Sequence, residues 1–226
     1  MTEPPEPPPL LTAQRMLDAL CARLARRFVG TFTRATLDRY VNESYRMLAS
    51  TSRLPDVLPA LTAKFATDRL AALARAQGLE TKDVPEVLFV CQRNAGRSQM
   101  AAALLTLRAG RRVRAHSAGT RPAAELELRI VEAMAEIGAD LAAEYPKPLT
   151  DEIVAACDVV VALGSDAACP ILPGRRYLHW SVPDPELVDE AEVRHIRDEL
   201  DLLVADLLAT LYPDTDGSGP MGADEV

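Results

Sequence analysis

The stretch that decides the fold reads VLFVCQRNAGRS and runs from Val87 to Ser98. A short apolar run ends at Cys91, five residues follow, and Arg97 opens an alanine-rich segment. The apolar run predicts a buried strand, and the alanine-rich segment predicts a helix behind a tight loop. The amide N–H groups of such a loop and the positive end of the helix dipole attract anions. We therefore expect a strand–loop–helix unit in which a tetrahedral oxyanion would lie above the Cys91 sulfur.

The residue types in the loop suit nucleophilic catalysis on that oxyanion. A thiol attacks as its thiolate, which the helix N-terminus, the inward amides and the Arg97 guanidinium all favour. The Ser98 hydroxyl can donate a hydrogen bond to the Cys91 sulfur, and Arg97 can hold two oxyanion oxygens with its planar fork. Gly96 and Asn94 permit tight turns. The expected oxyanion-binding residues are Gln92, Arg93, Asn94, Ala95, Gly96 and Arg97.

The loop resembles the phosphate-binding loop of the low-molecular-weight protein tyrosine phosphatase superfamily, which includes the thiol-dependent arsenate reductases. The resemblance covers residues 84–212 and extends more weakly over the region before them. The run from Asn94 to Ala101 is more similar to the arsenate reductase branch, because the phosphatases usually carry Pro where this chain has Gln99. The resemblance implies arsenate as the substrate and no bound cofactor.

The order of predicted elements defines the fold class. Apolar periodicity predicts three helices over residues 12–28, 34–50 and 58–77, followed by a linker over 80–85. Four strands then alternate with helices, which predicts a doubly wound four-stranded parallel sheet of the α/β class, preceded by a small three-helix unit. The predicted strands are 86–90, 113–117, 159–163 and 176–180, and the predicted helices are 98–110, 123–137, a short one capped by Thr150, and 187–211. We assign residues 1–9 and 213–226 to disordered tails, 10–79 to a three-helix domain and 84–212 to a catalytic domain.

The charge and cysteine content exclude several classes of protein. The net charge is −8, and residues 1–80 hold 11 Lys and Arg against 8 Asp and Glu, while the remainder holds 14 against 25. An acidic catalytic half argues against a nucleic-acid partner. The sequence contains no run of 18 apolar residues, so it does not predict a membrane span. Four cysteines are too few for a disulfide scaffold, which favours a reducing cytoplasm.

A proline-flanked carboxylate, Asp184, follows the fourth predicted strand. Ligands of parallel sheets bind beyond the carboxyl ends of the strands, where Cys91 also lies. The resemblance implies that Asp184 is the general acid that protonates the departing oxygen. Tyrosine phosphatases usually follow this Asp-Pro with aromatic residues that grip an aryl substrate, whereas Glu186 and Leu187 follow here. This departure favours a small inorganic oxyanion over phosphotyrosine.

The remaining cysteines bear on the reductant. Thioredoxin-coupled arsenate reductases pass a disulfide among three cysteines, one of them in the loop, where this chain has Ala95 and Gly96. The resemblance therefore implies an external small thiol with its redoxin, and mycothiol is preferred over glutathione. Cys21 and Cys157 lie in apolar segments and are expected to be packed, which leaves Cys169 as the candidate resolving thiol. The three histidines show no ligand spacing, so we expect no metal site.

Three functions remain open at this stage. The first is an arsenate reductase, or arsenate–thiol transferase, with Cys91 as nucleophile and Asp184 as acid. The second is a low-molecular-weight tyrosine phosphatase that hydrolyses a phosphocysteine. The third is a non-catalytic regulator that senses an oxyanion through the loop. The helical unit resembles the extension of some actinobacterial arsenate reductases, which implies a homodimer; partner docking and a DNA-binding helix-turn-helix are the alternatives.

Overall fold

The computed structural model describes residues 10–51, 56–164 and 169–212, with side chains from residue 13 onward. The two predicted tails lie outside this range. Three helices come first, close to their predicted positions, and they are α1 (Leu10–Arg27), α2 (Arg34–Ala49) and α3 (Leu58–Ala76). Their apolar faces share one core, which includes Cys21 at 1% exposure. Among the described residues, no helix is long and apolar enough to cross a bilayer.

The sheet confirms the predicted fold class. Its strands are β1 (Glu86–Cys91), β2 (Arg114–Gly119), β3 (Val159–Leu163) and β4 (Arg176–Trp180). They run parallel in the order β2-β1-β3-β4. The helices that follow α3 are α4 (Arg97–Ala109), α5 (Leu128–Ala135), α6 (Asp151–Ala156) and α7 (Glu190–Leu211), with 3-10 turns at Gly110–Arg112 and Pro185–Leu187.

Both faces of the sheet are covered, as continuous apolar strands require. On β1, the side chains of Val87, Phe89 and Cys91 enter a core built with α4, α5 and α7. Leu88 and Val90 point to the other face, where the core is built with α6 and with Ala72 of α3. The strand that carries the loop is therefore fixed from two sides, and α3 forms part of the wall of the catalytic half.

Helix α3 also joins the two halves through buried ion pairs. Arg69 donates to Glu152 of α6, and the two side chains are only 6% and 9% exposed. The same guanidinium donates to Ser44 Oγ (3.1 Å) and Glu43 Oε2 (3.2 Å) of α2. Because an uncompensated buried charge is costly, these partners fix α2, α3 and α6 relative to one another.

Two helices begin later than predicted. The prediction began one helix at Ala123, but α5 begins at Leu128 because the backbone before it bonds elsewhere: the N–H groups of Arg121 and Ala123 donate to carbonyls of the loop after β1. The last helix was predicted from residue 187, but the Asp189 side chain accepts from Glu192 N and starts α7 at Glu190. Thr150 occupies the N-cap position of α6, but its buried hydroxyl has no hydrogen-bond partner among the described residues.

Candidate active site

The loop after β1 brings a thiol, a hydroxyl and an amide together. Cys91 is 2% exposed, and its sulfur lies 2.9 Å from Ser98 Oγ and 3.2 Å from the Asn94 backbone nitrogen, which donates to it. Asn94 reaches this position because its φ is 50°, in the left-handed region that asparagine tolerates. Both contacts stabilise negative charge on the sulfur.

The Asn94 side chain fixes the direction of the Ser98 hydroxyl. Asn94 Oδ1 accepts from the backbone nitrogen of Lys147 (2.7 Å) and from Gln99 Nε2 (3.0 Å), so the other amide atom must be the nitrogen. That nitrogen donates to Ser98 Oγ at 2.8 Å. With the Asn94 amide nitrogen directed at the Ser98 oxygen, the single hydroxyl proton can point to the Cys91 sulfur, and it is the donor in this contact when the sulfur is ionised.

The carbonyl oxygens of the loop point outward into hydrogen bonds. Their donors, with distances to the acceptor, are Thr120 N to Cys91 O (3.1 Å), Arg121 N to Gln92 O (2.8 Å), Ala123 N to Arg93 O (2.9 Å), Gln99 Nε2 to Asn94 O (3.2 Å) and Glu127 N to Ala95 O (3.4 Å). In contrast, no acceptor among the described residues receives the N–H groups of Gln92, Arg93, Ala95, Gly96, Arg97 or Ser98. Successive amides of this kind form a nest that can receive an anion.

Two glycines allow the close packing around the loop. A Cβ on Gly119, at the end of β2, would lie 2.9 Å from both Gln92 O and Asn94 Cβ. A Cβ on Gly96 would lie 2.8 Å from Pro185 Cγ. The loop is therefore clamped between β2 and the turn that carries Asp184.

The structure brings Asp184 to Arg97. Arg97 Nη2 donates to Asp184 Oδ2 at 2.8 Å, and Arg97 Nη1 donates to Val182 O at 3.3 Å. The other carboxylate oxygen of Asp184 accepts from Glu186 N at 3.1 Å, which starts the 3-10 turn. The predicted acid and the predicted oxyanion-gripping residue thus lie side by side at the carboxyl ends of the strands.

A second ion pair joins the same two segments. Arg93 of the loop pairs with Glu186 and lies 3.7 Å from Glu127 Oε1. Burial raises the pKa of Glu127, and the Asp184 charge raises it further, while Arg93 and Arg129 oppose the shift. The residue that follows Asp184 and Pro185 is thus an ion-paired carboxylate, Glu186.

Several residues that support the site were not identified from the sequence. Gln99, predicted only as a mark of the arsenate reductase branch, also donates to Tyr145 O (2.9 Å) and so ties the loop to the segment before α6. Lys147 donates to Asn94 through its backbone nitrogen, and Arg129 donates to carbonyls beyond Asp184. These bonds join residues 46 to 59 positions apart and involve backbone atoms, so no spacing or residue type indicates them.

The other cysteines lie away from the sulfur of Cys91. Cys169 packs against the core on the opposite face of the sheet, and burial raises the pKa of its thiol to about 11. Cys157 belongs to that same core and is fully buried, and burial raises the pKa of its thiol. Burial, together with the nearby Asp38 carboxylate, raises the pKa of Cys21 to about 12. Raised values disfavour the reactive thiolate at all three.

One cluster has metal-ligand residue types. Atoms of Glu86, His116 and Cys157 lie within 4.8 Å of one another. However, Glu86 already accepts from His116 Nε2 (2.8 Å) and from Arg75 Nη2 (3.2 Å), so a cation there would face a guanidinium. Burial raises the pKa of Glu86, but the His116 hydrogen bond and the neighbouring charges outweigh it and hold the pKa below its usual range.

A cavity of about 310 Å³ lies between α3 and the catalytic half. Its lining includes Phe65 and Asp68 from α3, and Gln99 and Lys147 from the supports of the loop. Cys91 does not line it, so this cavity is separate from the thiol site.

A thiol at the end of a parallel strand, a nest of amides and a guanidinium at the start of the next helix define the cysteine-dependent phosphatases with a Cys-x5-Arg loop. Within that class, the chain belongs to the low molecular weight phosphotyrosine protein phosphatase family, which matches residues 86–216. The N-terminal domain family of protein-tyrosine-phosphatase-like proteins matches residues 17–74.

Similar proteins carry arsenate reductase names. The chain is 39% identical to a thioredoxin-dependent arsenate reductase of Corynebacterium glutamicum over 89% of this chain and 98% of that one, with a TM-score of 0.81. It is 34% identical to arsenate reductase 1 of Staphylococcus epidermidis over 117 residues, which are 50% of this chain and 88% of the relative. It is 32% identical to the arsenate reductase of Staphylococcus aureus over 125 residues, which are 54% of this chain and 95% of the relative.

Proposed function

We propose that this protein is an arsenate reductase that uses Cys91 as its nucleophile. The observation that carries the proposal is the environment of the Cys91 sulfur, which accepts a hydrogen bond from Asn94 N and lies 2.9 Å from Ser98 Oγ beneath a nest of unused amides. The arsenate reductase names of relatives at 32–39% identity support arsenate as the substrate.

The first step forms a sulfur–arsenic bond. The loop amides and Arg97 hold the oxygens of arsenate, and the Cys91 thiolate attacks arsenic. One arsenic–oxygen bond breaks, and Asp184 gives its proton to the departing oxygen, which leaves as water. Arg97 is paired with Asp184 in the free protein, and the incoming anion competes for the guanidinium. The freed carboxylate takes up a proton from the protonated arsenate or from solvent, and this is the proton that it gives to the departing oxygen.

The second step moves arsenic to an external thiol, for which we propose mycothiol. The thiol attacks arsenic and frees Cys91, and a redoxin thiolate then attacks the sulfur of the adduct. Arsenic leaves as arsenite with the electron pair, and the two sulfurs become a disulfide. The loop supports an external thiol because it offers Ala95 and Gly96 instead of a second cysteine. Since the attacking thiols must stay reduced, we place the enzyme in the cytoplasm.

A thioredoxin-coupled route is the alternative reductant. The Corynebacterium relative is named as thioredoxin-dependent, and Cys169 is the candidate resolving thiol, although in this structure it packs on the opposite face of the sheet from Cys91 and would have to move. A Cys169→Ser variant separates the two routes: turnover with mycothiol should be unchanged, whereas a thioredoxin route through Cys169 would stop.

A phosphatase is the second candidate function, and the family match favours it. The nucleophile and the acid would be the same, and water would hydrolyse the phosphocysteine. Against it stands the Arg93–Glu186 ion pair, because it places charge where an aryl group would need apolar contact.

The test compares arsenate turnover with mycothiol and its redoxin, with glutathione and glutaredoxin, and with thioredoxin. Cys91→Ser should abolish turnover, whereas Cys21→Ser, at a packed cysteine, is the matched control and should retain it. Asp184→Asn should slow turnover by roughly 10²–10⁴-fold, the range for general acid catalysis. Rapid hydrolysis of an aryl phosphate without arsenate turnover in any system would reject the proposal.

For the three-helix domain over residues 10–79 we propose homodimerisation, with the catalytic domain over 84–212. Helix α3 already packs on α6, so the surface available for a second copy lies on α1 and α2. Sedimentation at micromolar concentration tests this, since a monomer would contradict it.

A further inference from the structure

Arg129, in the first turn of α5, grips the turn that follows Asp184. Its Nη1 donates to Val188 O at 2.5 Å, and its Nη2 donates to Glu186 O at 3.2 Å and to Pro185 O at 3.5 Å. Among the described residues, no other side chain donates to these three carbonyls. A single planar guanidinium thus spans the whole turn.

Besides the Arg97–Asp184 and Arg93–Glu186 ion pairs, the turn has few other attachments. Within itself it has the Asp184 Oδ1 bond to Glu186 N and a bond from Leu187 N to Asp184 O at 3.2 Å. Leu187 is 84% exposed and provides no anchor in the core. Pro185 contributes packing on Gly96 but has no N–H group to donate. The bonds from Arg129 therefore attach the turn to the body of the protein without either arginine of the loop, Arg93 or Arg97, for which an incoming oxyanion would compete.

The backbone beneath Arg129 is itself tied to the nucleophile's loop. Glu127 N donates to Ala95 O, and Ile130, one residue beyond Arg129, is fully buried in the core that contains Cys91. Arg129 thus connects a rigid helix next to the loop with the turn that presents the acid. Together with the Arg97–Asp184 and Arg93–Glu186 pairs, Arg129 joins the turn of the acid to the part of the protein that carries Cys91.

We infer that Arg129 is a positioning residue, which sets the place of the Asp184 carboxyl group relative to the oxyanion in the loop. The inference rests on the proposed function, in which Asp184 is the general acid. A misplacement of about 1 Å in a catalytic group can cost about 10²-fold in rate. We expect Arg129→Met to lower kcat for arsenate by roughly 10- to 100-fold with little change in KM, and Arg129→Lys to fall between Met and the parent.

Two readouts distinguish positioning from general damage. The rate of alkylation of Cys91 by iodoacetamide should stay unchanged in Arg129→Met, because the loop keeps its own hydrogen bonds. Arg194→Met is the matched control, since Arg194 of α7 is also a partly exposed arginine that donates through several nitrogens, to Glu136 at the opposite end of α5 from Arg129. This control should keep the parent kcat.

A double-variant cycle tests the inference directly. If Arg129 acts through Asp184, Arg129→Met should add little to the loss already caused by Asp184→Asn. An equal fold-loss in both backgrounds would overturn the inference, and so would parent-like kcat in both Arg129→Met and Arg129→Lys. If Asp184→Asn alone turned over arsenate at the parent rate, Asp184 would not be the general acid of the proposed mechanism. Loss of turnover in Cys91→Ser would still support Cys91 as the nucleophile.

Discussion

Asn94→Asp changes one atom type at the centre of the loop and should slow the chemistry of Cys91. The side chain keeps its shape, and its Oδ1 can still accept from Lys147 N and Gln99 Nε2. The other atom becomes an acceptor, so it can no longer donate to Ser98 Oγ, which lies 2.8 Å away. The hydroxyl proton would then turn from the Cys91 sulfur to the new carboxylate.

The size of the effect follows from the lost bond. A hydrogen bond to a charged group contributes about 1.5–3 kcal/mol, and the contact between Ser98 Oγ and the Cys91 sulfur is such a bond when the sulfur is ionised. At 1.36 kcal/mol for each factor of ten, its loss corresponds to about a 10- to 150-fold lower rate at fixed pH. The added negative charge beside the sulfur acts in the same direction.

Alkylation of Cys91 by iodoacetamide at pH 7 measures this effect without arsenate or a reductant. Asn42→Asp is the matched control, because Asn42 also donates through its side-chain nitrogen, to Asp38 O at 2.7 Å in α2. In a Ser98→Ala background, the effect of Asn94→Asp should shrink to the contribution of the added charge. If Asn94→Asp and the control alkylate at the parent rate, the assigned direction of the Ser98 proton is wrong.

Three further predictions concern the supports of the site. Arg69→Met should lower the free energy of unfolding by about 3–5 kcal/mol in urea titrations, because it leaves Glu152 buried without its partner, and a loss below 1 kcal/mol would argue against a rigid junction. Glu86→Gln should destabilise at pH 7 by about 3 kcal/mol, since it deprives the buried Arg75 of its charge partner. Folding lowers the pKa of Glu86, so its contribution to the free energy of unfolding is complete above its unfolded pKa of about 4.3 and is lost as the pH falls from there through the folded pKa. The difference in unfolding free energy between Glu86→Gln and the parent should therefore shrink at pH 3.5. A difference that stays constant with pH would contradict the assignment. Gly119→Ala should slow arsenate turnover roughly tenfold or more, because the added Cβ would displace the loop backbone. Full activity in this variant would show that the loop can shift without loss of function.

The fold could be predicted from the sequence because the strongest sequence signals are local. The segments predicted as β3 and β4 end where the strands end, and the order of strands and helices is sufficient for the parallel sheet. The loop is equally local, since Cys91, Arg97 and Ser98 lie within eight residues of one another. Residue type and spacing are therefore sufficient to predict both the proposed nucleophile and the groups around it.

The parts that prediction misses depend on contacts between distant segments. The helix predicted from Ala123 begins five residues later, because the backbone of residues 120–127 satisfies the carbonyls of the loop instead of its own helix. Arg129 and Lys147 look like ordinary surface cations in the sequence. Their roles come from backbone carbonyl and amide groups, which every residue has and which leave no trace in residue type.

The three-helix unit braces the nucleophile's strand at both ends. At the start of β1, Arg75 of α3 pairs with Glu86. Beyond its end, Gln99 donates to Asn94 and to the carbonyl of Tyr145, whose ring packs in a cluster with Phe65 of α3. Since the position of the Cys91 sulfur depends on Asn94, and that of Asn94 on the segment around Tyr145, the packing of α3 bears on the geometry of the thiol. The helical unit therefore belongs to the structural support of the active site, whatever its role in self-association.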